Sequence, residues 1–174
     1  MPGEHARTGP ESTRKVGAGR VVTEPQLLEA LEADRAAGCT IAFANGCFDL
    51  LHVGHIRYLE GASGEADRLV VAVNDDSSVA TLKGAGRPAV PAPERAELVA
   101  ALAVVDYVVV FADPNVERLL RLIKPDVHCK GTDYTVDTVP ERAVVQAYGG
   151  RTAIVGDSKA HASRDLLDRI RRGR

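Results

Sequence analysis

The stretch Thr40-Ile-Ala-Phe-Ala-Asn45-Gly46-Cys47-Phe48-Asp49-Leu50-Leu51-His52-Val53-Gly54-His55 decides the fold. Its first half is a short apolar run bounded by turn residues, the pattern of a buried strand. Gly46 ends that strand and permits a tight turn with close backbone approach. A helix is expected from about Gly54 to Ala66, and a second apolar run, Arg68-Leu-Val-Val-Ala-Val73, follows it. Strand, helix and strand within so few residues make a parallel crossover unit.

The unit recurs toward the C-terminus. A short helix leads to Lys83, and helices are expected over Pro93–Val104, Pro114–Ile123, Thr138–Tyr148 and Ala162–Arg172. Strands are expected at Tyr107–Phe111, Asp126–Lys130 and Thr152–Val155. Alternation of this kind predicts an α/β fold with a doubly wound parallel sheet, whose ligands bind beyond the carboxyl ends of the strands. On the N-terminal side, Pro25 sits near a helix start, and Leu27, Leu28 and Leu31 recur at helical spacing until Gly38. Residues 1–22 mix Gly, Pro, Ser, Thr and charges without periodicity and are expected to form a disordered tail, leaving 23–174 as one domain.

Composition narrows the function classes. Residues are 45% hydrophobic but only 4% aromatic, with no Trp, so the core must be built from Val, Leu, Ala and Ile, as suits an interior sheet under helices. The formal net charge is −2, from 22 basic and 24 acidic residues, so no global field favours nucleic acid or an anionic membrane surface. The arginines of the last helix are interleaved with Asp165 and Asp168, which weakens a nucleic-acid reading further. Cys39, Cys47 and Cys129 are odd in number and lie in or beside apolar segments, which fits a reducing cytoplasm rather than a disulfide framework. No apolar run is long enough to cross a bilayer.

The residues after the first strand carry the chemistry. Gly46 and the helix starting near Gly54 direct backbone amides and a positive dipole end into one space, an anion site. His52 and His55, three apart at that helix start, can both face the anion, and Gly54 between them keeps the floor clear. The same pair could instead bind zinc with Cys47 or be a structural pair, although no convincing fourth ligand stands nearby. Lys83, flanked by Gly84 and Gly86, reads as a cation on a mobile loop able to close over phosphates, or else as solvated surface. Arg95 on the following helix is a further cation candidate, with a surface role as its rival. Lys130-Gly131-Thr132-Asp133-Tyr134 leaves the fourth strand at the same sheet edge. Asp106 and Asp133 could assist a metal, but acids at strand ends more often cap turns. His128 and Cys129 lie inside an apolar strand and read as packing residues.

His52-Val53-Gly54-His55 within Phe48–His55 resembles the signature of the cytidylyltransferase-like nucleotidyltransferases. The longer stretch Asn45–Ala62, with Lys83-Gly84, Arg87-Pro88 and Lys130–Tyr134, is similar to the heptose 1-phosphate adenylyltransferases. The resemblance spans about Thr23 to Ile170. It implies a Rossmann-like fold and transfer of a nucleotidyl group to a sugar phosphate, with ATP as co-substrate and Mg²⁺ on the triphosphate. His52, His55 and Lys83 would be catalytic. Asn45, Gly46, Cys47, Phe48, Gly54, Arg95, Lys130, Gly131, Asp133 and Tyr134 would bind the nucleotide. So would Ser163 and Arg164, where the family carries a Ser-Thr-Thr turn; Arg164 puts a fixed cation in place of a hydroxyl. A homodimer is what the resemblance suggests. Two alternatives stay open: a CTP-dependent enzyme acting on a sugar or polyol phosphate, and a nucleotide-binding regulatory module without turnover.

Overall fold

The computed structural model describes residues 19–157, 170, 172 and 173. Six strands, β1 (Arg20–Val21), β2 (Ile41–Gly46), β3 (Arg68–Asn74), β4 (Tyr107–Phe111), β5 (Val127–Gly131) and β6 (Arg151–Val155), form one parallel sheet in the order β1-β4-β3-β2-β5-β6. The helices are α1 (Glu24–Ala36), α2 (Val53–Ser63), α3 (Asp76–Lys83), α4 (Ala92–Ala100), α5 (Glu117–Ile123) and α6 (Arg142–Ala147). From β2 the chain winds outward through β3 to β4, then returns to place β5 on the other side of β2. The topological switch point therefore lies between β2 and β5, where doubly wound sheets open a crevice for ligands.

Strand alternation sends side chains to two cores. Ala42, Ala44, Val71, Val73 and Cys129 pack under α2 and α4 with Leu59, Ala62, Ala96 and Val99. Ile41, Phe43, Val70 and Ala72 face the opposite side with Leu27 and Leu31 of α1, Leu119 and Leu120 of α5, and Val144 and Val145 of α6. Both faces are covered, which is why the strands read as continuous apolar runs. Helix α1 begins with a reciprocal cap: the Gln26 amide donates to Thr23 Oγ1 at 3.4 Å and the Thr23 amide to Gln26 Oε1 at 2.9 Å.

Three expectations change. The tail expected over 1–22 does not extend that far, because Arg20–Val21 pairs with Tyr107–Val108 as an edge strand; residues 1–18 lie outside those described. Gly19 fits there because a Cβ on it would stand 2.5 Å from the Ala100 carbonyl oxygen. The helix expected over Thr138–Tyr148 is a 3-10 turn at Val136–Thr138 followed by α6, since Pro140 lacks an N–H donor and holds Val139 extended. Asp106 sits at the opposite edge of the sheet from the carboxyl ends, where its Oδ2 accepts the Leu69 amide at 2.8 Å. Asp126 does the same for Ile41 at 2.7 Å, so these acids cap incoming strands. The helix expected over Ala162–Arg172 lies mostly outside the described residues.

Candidate functional site

A cleft of about 540 Å³ opens above the carboxyl ends of β2, β3, β5 and β6. Asn45, Gly46, Cys47 and Phe48 form its floor, His52, Gly54 and His55 one wall, and Lys130, Gly131, Asp133 and Tyr134 the facing wall, with Lys83 at the rim. Four separate stretches of sequence thus converge at the switch point.

The turn after β2 is unusual. Phe48 adopts a left-handed backbone conformation with φ 49°, a costly state for a bulky side chain. Its ring is buried, lies 5.4 Å from the His55 ring and underlies Gly46, where an added Cβ would meet it at 3.1 Å. This fold-back brings the chain into α2 with His52 as N-cap, so the N-terminus of the helix opens at the cleft, which Gly54 and His55 line.

The histidines are stacked, ring centroids 3.9 Å apart. The backbone N–H of His52 donates to Nδ1 of His55 at 3.3 Å. Because Nδ1 accepts, the proton of a neutral ring must sit on Nε2, which leaves His55 a hydrogen-bond donor at its other edge. Burial, with smaller effects from His52 and Lys83, pushes the His55 pKa down to about 4, so the ring is neutral at physiological pH. A neutral N–H donor fixed at a helix N-terminus suits a polyanion whose charge grows during reaction.

Cys47 is an inert part of the floor. Its thiol reaches Asn74 Oδ1 at 3.9 Å, and burial raises its pKa, so the thiolate that zinc or nucleophilic chemistry needs is disfavoured. Among the described residues no group of three or more His, Cys, Asp or Glu side chains is gathered as for a metal ion.

Lys83, expected within a mobile loop, is instead the last residue of α3, and the loop begins after it. That loop is tied down from within the histidine segment. The buried Asp49 carboxylate pairs with Arg87 and accepts the amides of Ala89 at 2.7 Å and Val90 at 3.1 Å. Arg95 does not line the cleft. It is fully buried, and its guanidinium donates to the carbonyls of Val90 (2.8 Å), Cys47 (2.5 Å) and Asn74 (2.8 Å) and to Asp76 Oδ1 (2.7 Å). Arg95 therefore positions the cleft rather than contacting a nucleotide directly.

On the facing wall, Lys130 Nζ stands 3.6 Å from Glu141 Oε2 and 4.9 Å from the centroid of the Tyr134 ring. The ammonium is held by a carboxylate on one side and an aromatic face on the other. Ser163 and Arg164 lie outside the described residues.

Sequence reasoning missed several wall residues. Tyr58 lines the cleft and its buried hydroxyl donates to the Cys129 carbonyl at 2.9 Å, stitching α2 to β5. Its position three after His55 on the same helix could have revealed it. Asn74 ends β3 and Thr132 and Asp157 follow β5 and β6, the places where such a sheet puts ligand contacts, and all three line the cleft. Thr132 Oγ1 donates to the Asp157 carbonyl at 2.8 Å, joining the loops after β5 and β6.

Known proteins resemble this chain in sequence and in fold. The profile of the Cytidylyltransferase-like family matches residues 43–168. The chain is 45% identical to the Bifunctional protein HldE of Ectopseudomonas mendocina (strain ymp) over 97% of its own length and 37% of that protein. It is 46% identical to the Bifunctional protein HldE of Azotobacter vinelandii over 91% of its length and 34% of that protein. The chain thus spans little more than a third of the curated relatives it matches. Among solved structures, the lipopolysaccharide core biosynthesis protein from Thermoplasma volcanium GSS1 superposes with a TM-score of 0.60 at 30% identity, covering 71% of this chain and all of that one.

Proposed function

Because the chain belongs to the cytidylyltransferase-like family, we propose that it transfers a nucleotidyl group from ATP to a heptose 1-phosphate, giving an ADP-heptose and pyrophosphate. The observation that carries the reading is the His52 amide donating to His55 Nδ1 at the α2 N-terminus, which turns the Nε2–H of His55 outward, within a cleft that holds Lys83 at its rim and Lys130 in its facing wall. The sugar assignment draws on the similarity to HldE proteins and to a lipopolysaccharide core biosynthesis protein.

The chemistry needs no protein nucleophile. A phosphate monoester, with a second pKa near ~6, is already mostly dianionic at neutral pH. Its oxygen attacks the α-phosphorus, the bond to the bridging oxygen breaks, and pyrophosphate leaves with that electron pair. Negative charge grows on the α-phosphoryl and bridging oxygens, where His55, the opening amides of α2 and the lysine ammonium groups would donate. Asp133 lines the cleft, while the Asp157 carboxylate is paired with Arg57, so the acids at hand suit a magnesium ion carried in on the triphosphate better than a resident one. That ion would offset charge on the phosphates. Such an enzyme would work in the cytoplasm, where nucleoside triphosphates are abundant; among the described residues no helix is long and apolar enough to cross a membrane.

Pyrophosphate release measured with ATP and CTP against heptose 1-phosphates and glycerol 3-phosphate tests the proposal. ATP with a heptose 1-phosphate should exceed CTP with glycerol 3-phosphate by at least ~10²-fold in kcat/KM. Comparable rates for the two pairs would overturn the substrate assignment, and absence of turnover with every pair would leave the regulatory-module reading.

A further inference from the structure

Beneath the cleft floor lies an imidazole that the reaction does not touch. His128, on β5, is completely buried and packs against the Phe43 ring, centroid to centroid 5.9 Å. Its Nε2 lies 3.2 Å from Oδ1 of Asn45, a floor residue, while its Nδ1 is buried without a hydrogen-bond partner. A neutral imidazole carries one proton. On Nδ1 it would leave a buried N–H unsatisfied, whereas on Nε2 it satisfies Asn45 and leaves only a bare ring nitrogen. Burial, together with the nearby Lys130 charge, keeps the doubly protonated form out of reach, its pKa pushed down to about 3.

We propose that His128 is a positioning residue: its Nε2–H holds the Asn45 side-chain oxygen inward, so that the Asn45 NH₂ group faces the cleft as a fixed donor to phosphate oxygen. An asparagine amide has two orientations of similar shape and opposite polarity. The inverted one would aim a carbonyl oxygen at the triphosphate and repel it. The backbone of Asn45 is fixed as well, since β2 pairs with β3 at Asn45 and Ala72 and with β5 at Ala44 and Cys129. The choice of amide orientation thus falls to His128. This proposal rests on the triphosphate occupying the cleft, and it deepens that reading by assigning Asn45 its polarity.

The test uses the full chain labelled with ¹⁵N-histidine. The His128 ring should show the Nε2–H tautomer throughout pH 6 to 8, and a predominant Nδ1–H tautomer would overturn the proposal. Calorimetric titration with inorganic pyrophosphate then reads the donor itself. H128F should weaken pyrophosphate binding by about tenfold, as expected for one lost or inverted hydrogen bond, and H128Q, which keeps a donor, should recover most of it. In an N45A background, H128F should cause no further loss; independent, additive losses would show that His128 does not act through Asn45. Should H128F fail to fold, the tautomer in the parent protein still decides. Both readouts dispense with turnover, so an error in the substrate assignment leaves them intact and is detected separately by the pyrophosphate-release panel.

Discussion

Nη1 of Arg95 lies 2.5 Å from the carbonyl oxygen of Cys47, so α4 grips the turn on which the anion site is built. Four acceptors from the ends of β2 and β3, the start of α3 and the loop before α4 share this one guanidinium. No other side chain offers as many fixed donors.

Replacing Arg95 should therefore unfold the protein more readily than replacing any cleft residue. Arg95→Met leaves carbonyls and a carboxylate without their donor and is expected to cost roughly 3 kcal/mol in urea unfolding. Arg95→Lys should recover less than half, since one ammonium cannot reach all four acceptors. A loss below about 0.5 kcal/mol for the methionine variant would show that the network is redundant.

His55→Ala should lower turnover on the order of 10² or more while the melting temperature barely moves. His52→Ala should act similarly, with a larger rise in the nucleotide KM. Steady-state kinetics beside a thermal melt separates this outcome from general damage.

Acid should destabilise the fold through its neutral histidines. Burial holds His55 near 4 and His128 near 3 in the folded chain, against 6.5 as the ordinary value. Between those limits the unfolded chain binds protons that the folded one does not, so stability is full above about pH 6.5 and falls as the pH drops toward 4. His55→Gln should remove one of the two contributions. Unfolding free energies measured from pH 4 to 8 check this; an unchanged slope in the variant would mean that His55 takes up its proton as readily in the fold as in the unfolded chain.

The two-residue edge strand should matter despite its size. A chain beginning at residue 19 keeps β1, whereas one beginning at residue 23 loses both the pairing to β4 and the contact of Gly19 with Ala100. The shorter chain should melt several degrees lower, measured by circular dichroism.

Much of this was legible in the sequence because hydrophobic runs alternating with helical spacing leave few topologies. The strands from β2 to β6 fall within a residue or two of expectation, and the convergence of Asn45, His52, Lys83 and Lys130 follows from their positions at or beyond the carboxyl ends of strands. What escaped has definite causes. Arg20–Val21 is too short to show a period. Proline interrupts the helix expected over Thr138–Tyr148. Arg95 on a helix looks like surface until folding brings three carbonyls and Asp76 around it, an arrangement made of residues up to 48 apart in sequence. Asp106 precedes its strand, and attention to strand direction would have sent it to the far edge.

Asp49 has one more consequence. With Lys83 anchored as the end of a helix and Arg87 clasped by Asp49, only Gly84, Ala85 and Gly86 stand between two fixed points. Four Cα steps reach at most roughly 14 Å. The segment is a short leash rather than a lid: it limits how far the ammonium can stray from the histidines, so a longer glycine spacer would hand the site freedom that it has no use for.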